Sequence, residues 1–135
     1  MTAGVRPVGG TPWGLRTAEN GGVVRDLAPS IHRQRVVIEG TMPEVITAEE
    51  ISDYLSALSV ELDMVELLAP VMHQSDRYGW AGWIHWETSG AHFYAWDDPK
   101  FFSVDIYTCK PFSAEDAVRF TEKFFAATEI VHKEF

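Results

Sequence analysis

The sequence has little of three things that would each point to a particular class of protein. It contains a single cysteine, Cys109, so an intrachain disulfide is impossible and a secreted disulfide scaffold is excluded. No run approaches the roughly 20 apolar residues of a membrane helix, and glycine and proline stand where a signal peptide has its apolar run. Basic residues are also few, 11 against 20 acidic ones, for a net charge of −9. We therefore expect a cytoplasmic protein that binds neither membranes nor nucleic acid.

The chain of 135 residues is long enough for one domain and too short for two ordinary ones. Residues 1–32 are rich in glycine and proline and show no sustained period, which predicts a loosely ordered N-terminal extension. Residues 33–135 are expected to form the single domain. The five histidines do not fall at metal-ligand spacing, so we expect no metal site.

Two segments have the pattern of amphipathic helices. Thr47 and Glu50 have the spacing of a capping box, and apolar residues at helical intervals follow to about residue 62. Ser113 and Asp116 have the spacing of a second helix start. The expected buried side of that helix carries Ala117, Phe120 and Phe124.

The remaining regular patterns predict strands. They cover residues 36–38, 64–72, 80–87, 91–96, 101–109 and 129–132, with a turn or bulge at Ser89 and Gly90. Consecutive strands joined by short turns pair antiparallel, and two amphipathic helices need one sheet face to cover. The order β-α-β-β-β-β-α-β therefore predicts an α+β fold: a two-layer sandwich of a mainly antiparallel sheet with two helices on one face.

The stretch from Thr88-Ser89-Gly90 to Trp96, followed by a strand ending in Thr108-Cys109, carries a family resemblance. It resembles the short bacterial and archaeal S-adenosylmethionine decarboxylases, in which a strand carries Glu-Ser-His, an aromatic turn follows, and a later strand ends in Thr-Cys. Ser89 and Cys109 stand twenty positions apart, as in that family. The similarity covers about residues 33–125.

The resemblance implies a self-processing lyase of polyamine biosynthesis. In the family the serine attacks the preceding carbonyl, and elimination then splits the chain and leaves the serine as an N-terminal pyruvoyl group. That group condenses with the substrate's amine and withdraws electrons as carbon dioxide leaves, and the cysteine returns a proton. Carried over, Ser89 is the pyruvoyl precursor, the Thr88–Ser89 bond is the cleavage point and Cys109 is the proton donor. Asp98 takes the place of the acid that binds the ribose hydroxyls.

Four positions depart from the family pattern. Thr88 replaces a glutamate, and Ala81 replaces a serine that assists processing. Ser75 stands where an aromatic residue stacks on the adenine, and Tyr94 where a histidine removes the serine α-proton. Free tyrosine has a pKa near 10 against about 6.5 for histidine, so it is a poor base at neutral pH. His92, two positions before Tyr94 and on the same strand face, is the alternative base.

Further residues are candidates for holding the substrate. The aromatic faces of four tryptophans are of the kind that attracts a sulfonium cation: Trp80, Trp83, Trp86 and Trp96. Trp80 and Trp86 share one face of the predicted strand and Trp83 points the other way, so at most some of them can line a pocket. Core packing or a subunit interface is the alternative role for the tryptophans. The complete predicted binding set is Asp98, Trp96, Glu87, Trp80 and Ser75.

Three functions stay open on the sequence alone. The first is a lyase acting on S-adenosylmethionine, or on a related amino acid such as ornithine or arginine. The second is an unprocessed homologue that binds S-adenosylmethionine and promotes an elimination or cyclisation, with Glu87, His85, His92 or Tyr94 as the base. The third is a non-catalytic ligand-binding protein. The resemblance also implies a homodimer with its sites at the interface of two chains.

Overall fold

The computed structural model describes residues 25–135. Residues 1–24 of the predicted N-terminal extension lie outside this range. Residues 25–33 carry neither helix nor strand, and within them Asp26 and Arg33 form an ion pair at 2.5 Å. The first strand begins at Gln34.

The elements follow the predicted order β-α-β-β-β-β-α-β. They are β1 (Gln34–Thr41), α1 (Ala48–Glu61), β2 (Val71–Gln74), β3 (Trp80–Trp86), β4 (Ser89–Trp96), β5 (Phe101–Thr108), α2 (Ala114–Phe125) and β6 (Glu129–Glu134). None of the helices in residues 25–135 is long and apolar enough to cross a membrane.

The strands form one antiparallel sheet in the order β2-β3-β4-β5-β1-β6. Alternate residues of the four central strands are buried, because successive side chains of a strand point to opposite faces. Both helices pack on that buried face. The largest fully buried side chains are Trp86, Tyr54, Phe93, Phe102, Ile38, Ile51, Leu55, Leu58, Ile84, Ile106, Val36 and Val104. This arrangement confirms the predicted α+β two-layer sandwich.

Both helices begin where the capping signals predict. The Thr47 hydroxyl accepts from the Glu50 backbone N–H at 3.1 Å, and the Glu50 carboxylate accepts from the Thr47 N–H at 3.0 Å. Ser113 accepts from the Asp116 N–H at 3.1 Å. Each bond satisfies a backbone donor that a helix start leaves without an intrahelical partner.

The predicted strand at residues 64–72 is wrong in its position. Strand β2 begins after Pro70, and the segment before it makes only an isolated bridge between Glu66 and Trp86. Pro70 lacks a backbone N–H and cannot donate to a ladder, so the pairing starts on its C-terminal side. His73, which follows the predicted strand, belongs to β2, because it pairs with Ala81 in the sheet.

Two further expectations are corrected. The turn lies at Glu87 and Thr88 rather than at Ser89-Gly90, because Trp86 pairs directly with Ser89. In α2 the deeply buried ring is Phe125, whereas Phe124 is 37% exposed. In the last turn of α2, the residue that packs into the core is therefore one position later than the helical period predicts.

Within residues 25–135, no helix or strand covers the sheet face opposite the helices, and we call it the open face. Its outward positions are Arg35, Val37 and Glu39 of β1, Ala81, Trp83 and His85 of β3, Gly90, His92, Tyr94 and Trp96 of β4, and Ser103, Asp105 and Tyr107 of β5. Arg35 binds both carboxylate oxygens of Asp105, each at 2.9 Å. Polar and aromatic side chains thus share this face.

Replacing Tyr54 by phenylalanine is expected to lower the free energy of unfolding at neutral pH. The further fall in this free energy at alkaline pH is expected to be smaller in the variant than in the unaltered protein. Thr121 donates its hydroxyl proton to the Ala117 carbonyl at 2.7 Å, so the Tyr54 hydroxyl is the donor in its 2.6 Å bond to Thr121. Losing that bond costs about 1 kcal/mol. Burial raises the pKa of Tyr54. The unfolded chain therefore releases this proton near pH 10 while the folded chain keeps it, and the free energy of unfolding falls as pH rises above that value.

Urea unfolding at neutral pH and at about pH 11 measures both effects. Tyr78→Phe is the matched control, because Tyr78 is exposed and its hydroxyl has no comparable burial to lose. An alkaline loss of stability in Tyr54→Phe as steep as in the unaltered protein would contradict the assignment.

Candidate functional site

A cavity of about 340 Å³ lies on the open face at the end where β3 turns into β4. It is lined by Trp83, Ile84, His85, Thr88, Ser89, Gly90, Ala91, His92, Asp105 and Tyr107. Its volume falls in the range of small-molecule sites. Ser89 and His92, both singled out in the sequence, are therefore brought to one hollow.

Ser89 is held at the first position of β4 by the preceding tight turn. Thr88 in that turn has a φ of +59°, a conformation that a β-branched residue rarely adopts and that stores strain. The Thr88 hydroxyl donates to the Glu87 carbonyl at 2.6 Å. Strain is thus located directly before the bond between Thr88 and Ser89.

The backbone N–H of Cys109 is within hydrogen-bonding distance of two oxygens next to the Thr88–Ser89 bond. It lies 3.2 Å from the Thr88 carbonyl oxygen and 3.2 Å from the Ser89 hydroxyl oxygen. The pairing of Ser89 with Thr108 across β4 and β5 produces this contact. Ser89 itself is only 7% exposed, so its hydroxyl is held with little competition from water.

The Cys109 side chain is partly buried and hydrogen-bonds the hydroxyl of Tyr107. Burial, reinforced by Cys109, raises the pKa of Tyr107. The Tyr107 hydroxyl therefore keeps its proton at neutral pH and can take part in hydrogen bonding to the thiol. Tyr107 lines the cavity, whereas Cys109 is not among the lining residues and is connected to the cavity only through Tyr107.

His92 and Tyr94 lie on the open face, with ring centroids 6.2 Å apart. Ser89 lies on the opposite, buried face of the sheet, together with Ala91 and Phe93. Five residue steps along β4 place Tyr94 about 17 Å from Ser89. Tyr94 therefore cannot exchange a proton with Ser89 of the same chain.

Two departures from the family pattern are direct neighbours. Ala81 pairs with Tyr94 across β3 and β4. The small side chain and the large one occupy adjacent places on the open face. Ala81 and Tyr94 are thirteen positions apart in the sequence, and no sequence pattern predicted that they are neighbours in the sheet.

Four predicted binding residues gather at the opposite end of the sheet. Ser75 accepts from the backbone N–H groups of Arg77 and Tyr78 at 3.1 and 3.2 Å, so its hydroxyl shapes the loop. Trp96 stands 5.5 Å from Phe101, centroid to centroid. The other two members of this distal cluster are Trp80, which packs against the core, and Asp98, which is exposed in the turn after β4.

Seven residue steps separate Ser89 from Trp96, which corresponds to about 23 Å along β4. The predicted site is thus divided between the two ends of one sheet. Glu87 stands with the first group, exposed in the turn, and its backbone N–H donates to the Val65 carbonyl at 3.0 Å. It does not line the cavity.

Asp105 and Tyr107 line the cavity although no role was predicted for either of them, and so does Trp83, one of the four tryptophans considered for attracting a cation. The only signal in the sequence was the alternation of β5, which placed Asp105 and Tyr107 on the side away from the core. His85 and His92 both line the cavity, but they pair with Gly90 and Trp83 and not with each other. Within residues 25–135 no three His, Cys, Asp or Glu side chains are grouped for a metal.

Thr88→Gly is expected to raise the free energy of unfolding by about 1 kcal/mol, because glycine adopts a positive φ without the steric cost of a Cβ. The measurement is urea unfolding in a Ser89→Ala background, where the chain has no residue 89 hydroxyl. Glu87→Gly is the matched control, since Glu87 occupies the same turn without a positive φ. Equal effects of the two glycines would contradict strain at Thr88.

Comparisons with known proteins agree with this architecture. The family model described as S-adenosylmethionine decarboxylase matches residues 38–135. The crystal structure of the adenosylmethionine decarboxylase from Aquifex aeolicus VF5 is similar, with a TM-score of 0.66 over 78% of this chain and 89% of that chain. The sequence identity is 15%, so that likeness concerns the fold. No curated protein matches the sequence.

Proposed function

Because this chain belongs to the S-adenosylmethionine decarboxylase family, we propose that it is a cytoplasmic carboxy-lyase of polyamine biosynthesis that acts on S-adenosylmethionine or a related amino acid. We propose that residue 89 becomes its pyruvoyl group. The observation that carries the proposal is the double contact of the Cys109 N–H with the Thr88 carbonyl and the Ser89 hydroxyl at the edge of the cavity.

This contact supports the first step of self-processing. The Ser89 hydroxyl oxygen attacks the Thr88 carbonyl carbon, and negative charge develops on the Thr88 oxygen. As this intermediate collapses to the ester, the bond from the Thr88 carbonyl carbon to the Ser89 nitrogen breaks, and the hydroxyl proton passes to the released nitrogen. The Cys109 N–H points at that oxygen already, which is the arrangement that stabilises an oxyanion. The positive φ of Thr88 adds ground-state strain that ester formation and cleavage release.

The residues present fit a pyruvoyl group at position 89. Ser89 lines the cavity, so a carbonyl on that residue would open on the hollow beside Gly90. Such a group would supply the carbonyl that condenses with the substrate's amine and draws off the electrons as carbon dioxide leaves. The remaining steps are the work of this chain's own side chains.

Cys109 is the proposed proton donor to the carbon that loses the carboxylate. Tyr107 holds the thiol by a hydrogen bond from the cavity wall. Since its own pKa is raised, Tyr107 stays neutral and serves to orient the thiol. His92 lines the same cavity, three strand positions or about 10 Å along β4 from Ser89, and is the proposed alternative group for proton transfer within the cavity.

The division of the site supports a homodimer in which each chain completes the other's site. The distal cluster lies about 23 Å from Ser89 in one chain, yet the proposed chemistry needs both ends together. If two open faces stack antiparallel about a twofold axis, the cavity that Ser89 lines in one chain faces the end of the sheet that carries Tyr94, Trp96 and Asp98 in the partner subunit. Tyr94 of the partner subunit would then lie across the interface from this cavity, as a second group for proton transfer beside His92 of the same chain.

The open face has suitable size and composition for this contact. Six strands are separated by five spacings of roughly 4.8 Å, and a length of about 23 Å then gives about 550 Å² in projection. Side-chain relief brings this near the ~800 Å² of accessible surface per partner in a standard interface. Trp83, Tyr94 and Tyr107 are exposed there, and aromatic residues are enriched at interfaces.

A basic amino acid such as ornithine or arginine is the second candidate substrate. Ser75 cannot stack on an adenine, and its hydroxyl is engaged by two backbone N–H groups. Release of carbon dioxide from carboxyl-labelled S-adenosylmethionine, ornithine and arginine tests the proposal directly. Release from one of them supports a decarboxylase; a product that keeps its carboxylate contradicts it.

A further inference from the structure

We infer that Gln34 is a positioning residue for self-cleavage. Together with Thr108 it holds residues 109–112 so that the Cys109 N–H stays on the Thr88 carbonyl oxygen. The inference rests on the proposed function and extends it to a side chain of β1 that does not line the cavity. Gln34 acts through the backbone of the segment that carries the oxyanion donor.

A row of buried polar side chains leads from β1 to the cleavage point. Within residues 25–135 five polar side chains are buried: Gln34, Ser59, Ser89, Thr108 and Thr121. Three of them are cross-strand neighbours, because Gln34 pairs with Thr108 and Thr108 pairs with Ser89. A buried polar group costs free energy unless it is hydrogen-bonded. The partners of these side chains therefore indicate what the row does.

The Gln34 carboxamide binds the backbone of Phe112 in both directions. Its Nε2 donates to the Phe112 carbonyl at 2.8 Å, and its Oε1 accepts from the Phe112 N–H at 3.3 Å. The same Oε1 lies 2.9 Å from Nε2 of His32, which is the donor because an amide oxygen only accepts. Gln34 is 3% exposed, so water competes little for these bonds. The backbone three positions after Cys109 is thus fixed to β1.

Thr108 holds the same segment at its other end. Its hydroxyl donates to the Lys110 carbonyl at 2.7 Å, a bond that spans Cys109. The Cys109 N–H lies 3.2 Å from the Thr88 oxygen. Such a donor stabilises an oxyanion best when it is already in place as the charge develops. The bonds of Gln34 and Thr108 keep the Cys109 N–H in that place.

Gln34→Met is the test variant, because methionine has a similar length and lacks the amide's donor and strong acceptor. Full-length chains made by cell-free translation are followed by mass spectrometry as residues 1–88 and 89–135 appear. We expect cleavage to be at least about tenfold slower, since a displacement of about 1 Å can cost about a hundredfold. An unchanged rate in the folded variant would overturn the inference.

Thr121→Val is the matched control for the loss of buried hydrogen bonds. The Thr121 hydroxyl donates to the Ala117 carbonyl at 2.7 Å and lies 2.6 Å from the Tyr54 hydroxyl, away from the cleavage point. Both variants are expected to lower the urea midpoint, and only Gln34→Met is expected to slow cleavage. Equal slowing in the two variants would reduce Gln34 to a general contribution to stability and overturn its positioning role.

The amount of ester intermediate shows which step Gln34 affects. The Cys109 N–H acts on the oxyanion that precedes the ester. Hydroxylamine attacks an ester and leaves a peptide bond intact, so it releases residues 1–88 as a hydroxamate and residues 89–135 with an N-terminal serine. We expect less of this trapped product from Gln34→Met than from the unaltered protein. Ester that accumulates in the variant would place the effect on elimination and overturn the inference.

Thr108→Val keeps the test decisive if circular dichroism shows that Gln34→Met does not fold. Valine preserves the branched shape of Thr108 and removes the bond to the Lys110 carbonyl. Cleavage is again expected to be at least about tenfold slower. An unchanged rate would contradict the role of the row.

Hydrogen exchange of the Cys109 amide separates failure of the clamp from failure of the proposed function. In an uncut Ser89→Ala chain, adding Gln34→Met is expected to speed this exchange about tenfold while the amides of α2 keep their rates. Unchanged exchange would overturn the inference. An unaltered protein that stays uncut contradicts the proposed function, and faster exchange in the Gln34→Met chain would then still support the clamp.

Discussion

Ser89→Ala is expected to leave a single chain of 135 residues, whereas the unaltered protein is expected to separate into residues 1–88 and 89–135. Alanine has no oxygen to attack the Thr88 carbonyl, so neither the ester nor the subsequent elimination can form. Without the resulting carbonyl at residue 89, decarboxylation should fall by at least about a thousandfold. Intact-mass spectrometry under denaturing conditions measures the cleavage, and carbon dioxide release measures the activity.

Ser103→Ala is the matched control for this experiment. Ser103 is also a strand serine, and its hydroxyl donates to Glu39 at 2.9 Å, away from the Thr88–Ser89 bond. The control is expected to split as the unaltered protein does. An unaltered protein that releases carbon dioxide while its mass shows one uncut chain would exclude the pyruvoyl route.

Co-expression of two inactive chains, Ser89→Ala and Asp98→Ala, is expected to restore about one quarter of the normal activity. Random pairing makes half of the dimers mixed. In each mixed dimer one site has lost both residues, and the other site combines an intact Ser89 with an intact Asp98 from the partner subunit. The physical basis is the separation of about 23 Å between the two ends of β4.

Differently tagged copies of each chain allow the mixed dimers to be purified and counted. Two tagged copies of Ser89→Ala are the control, and they should remain inactive together. Mixed dimers with no activity, isolated by both tags, would show that each site is built from one chain. Trp96→Ala in place of Asp98→Ala tests the same distal cluster through a different side chain.

The architecture was largely predictable because its signals are local. The capping residues of both helices, the alternation in β5 and the order of elements all follow from side chains a few positions apart. The strand at residues 64–72 was misplaced because an apolar run resembles a strand whether or not a partner is available. In the fold, pairing of β2 starts only after Pro70.

The candidate site was predictable only in part. The spacing of Ser89 and Cys109 identified two residues that β4 and β5 bring into contact. The same motif predicted that Tyr94, Trp96 and Asp98 belong to one site with Ser89 and Cys109, since they are near in sequence. An extended strand separates residues by about 3.3 Å per step. Residues that are only a few positions from Ser89 in the sequence therefore lie far from it along β4.

By itself, the sequence determined the order of helices and strands, which of their faces are apolar, and which family the chain resembles, because each is encoded by short-range spacing of side chains. The tertiary structure decided the rest. Pairing between strands places the Cys109 N–H on the Ser89 and Thr88 oxygens, opens the hollow at Gly90, and sends the distal cluster to the far end of the sheet. Register and cavities arise from contacts between residues remote in the chain, and no local pattern records them.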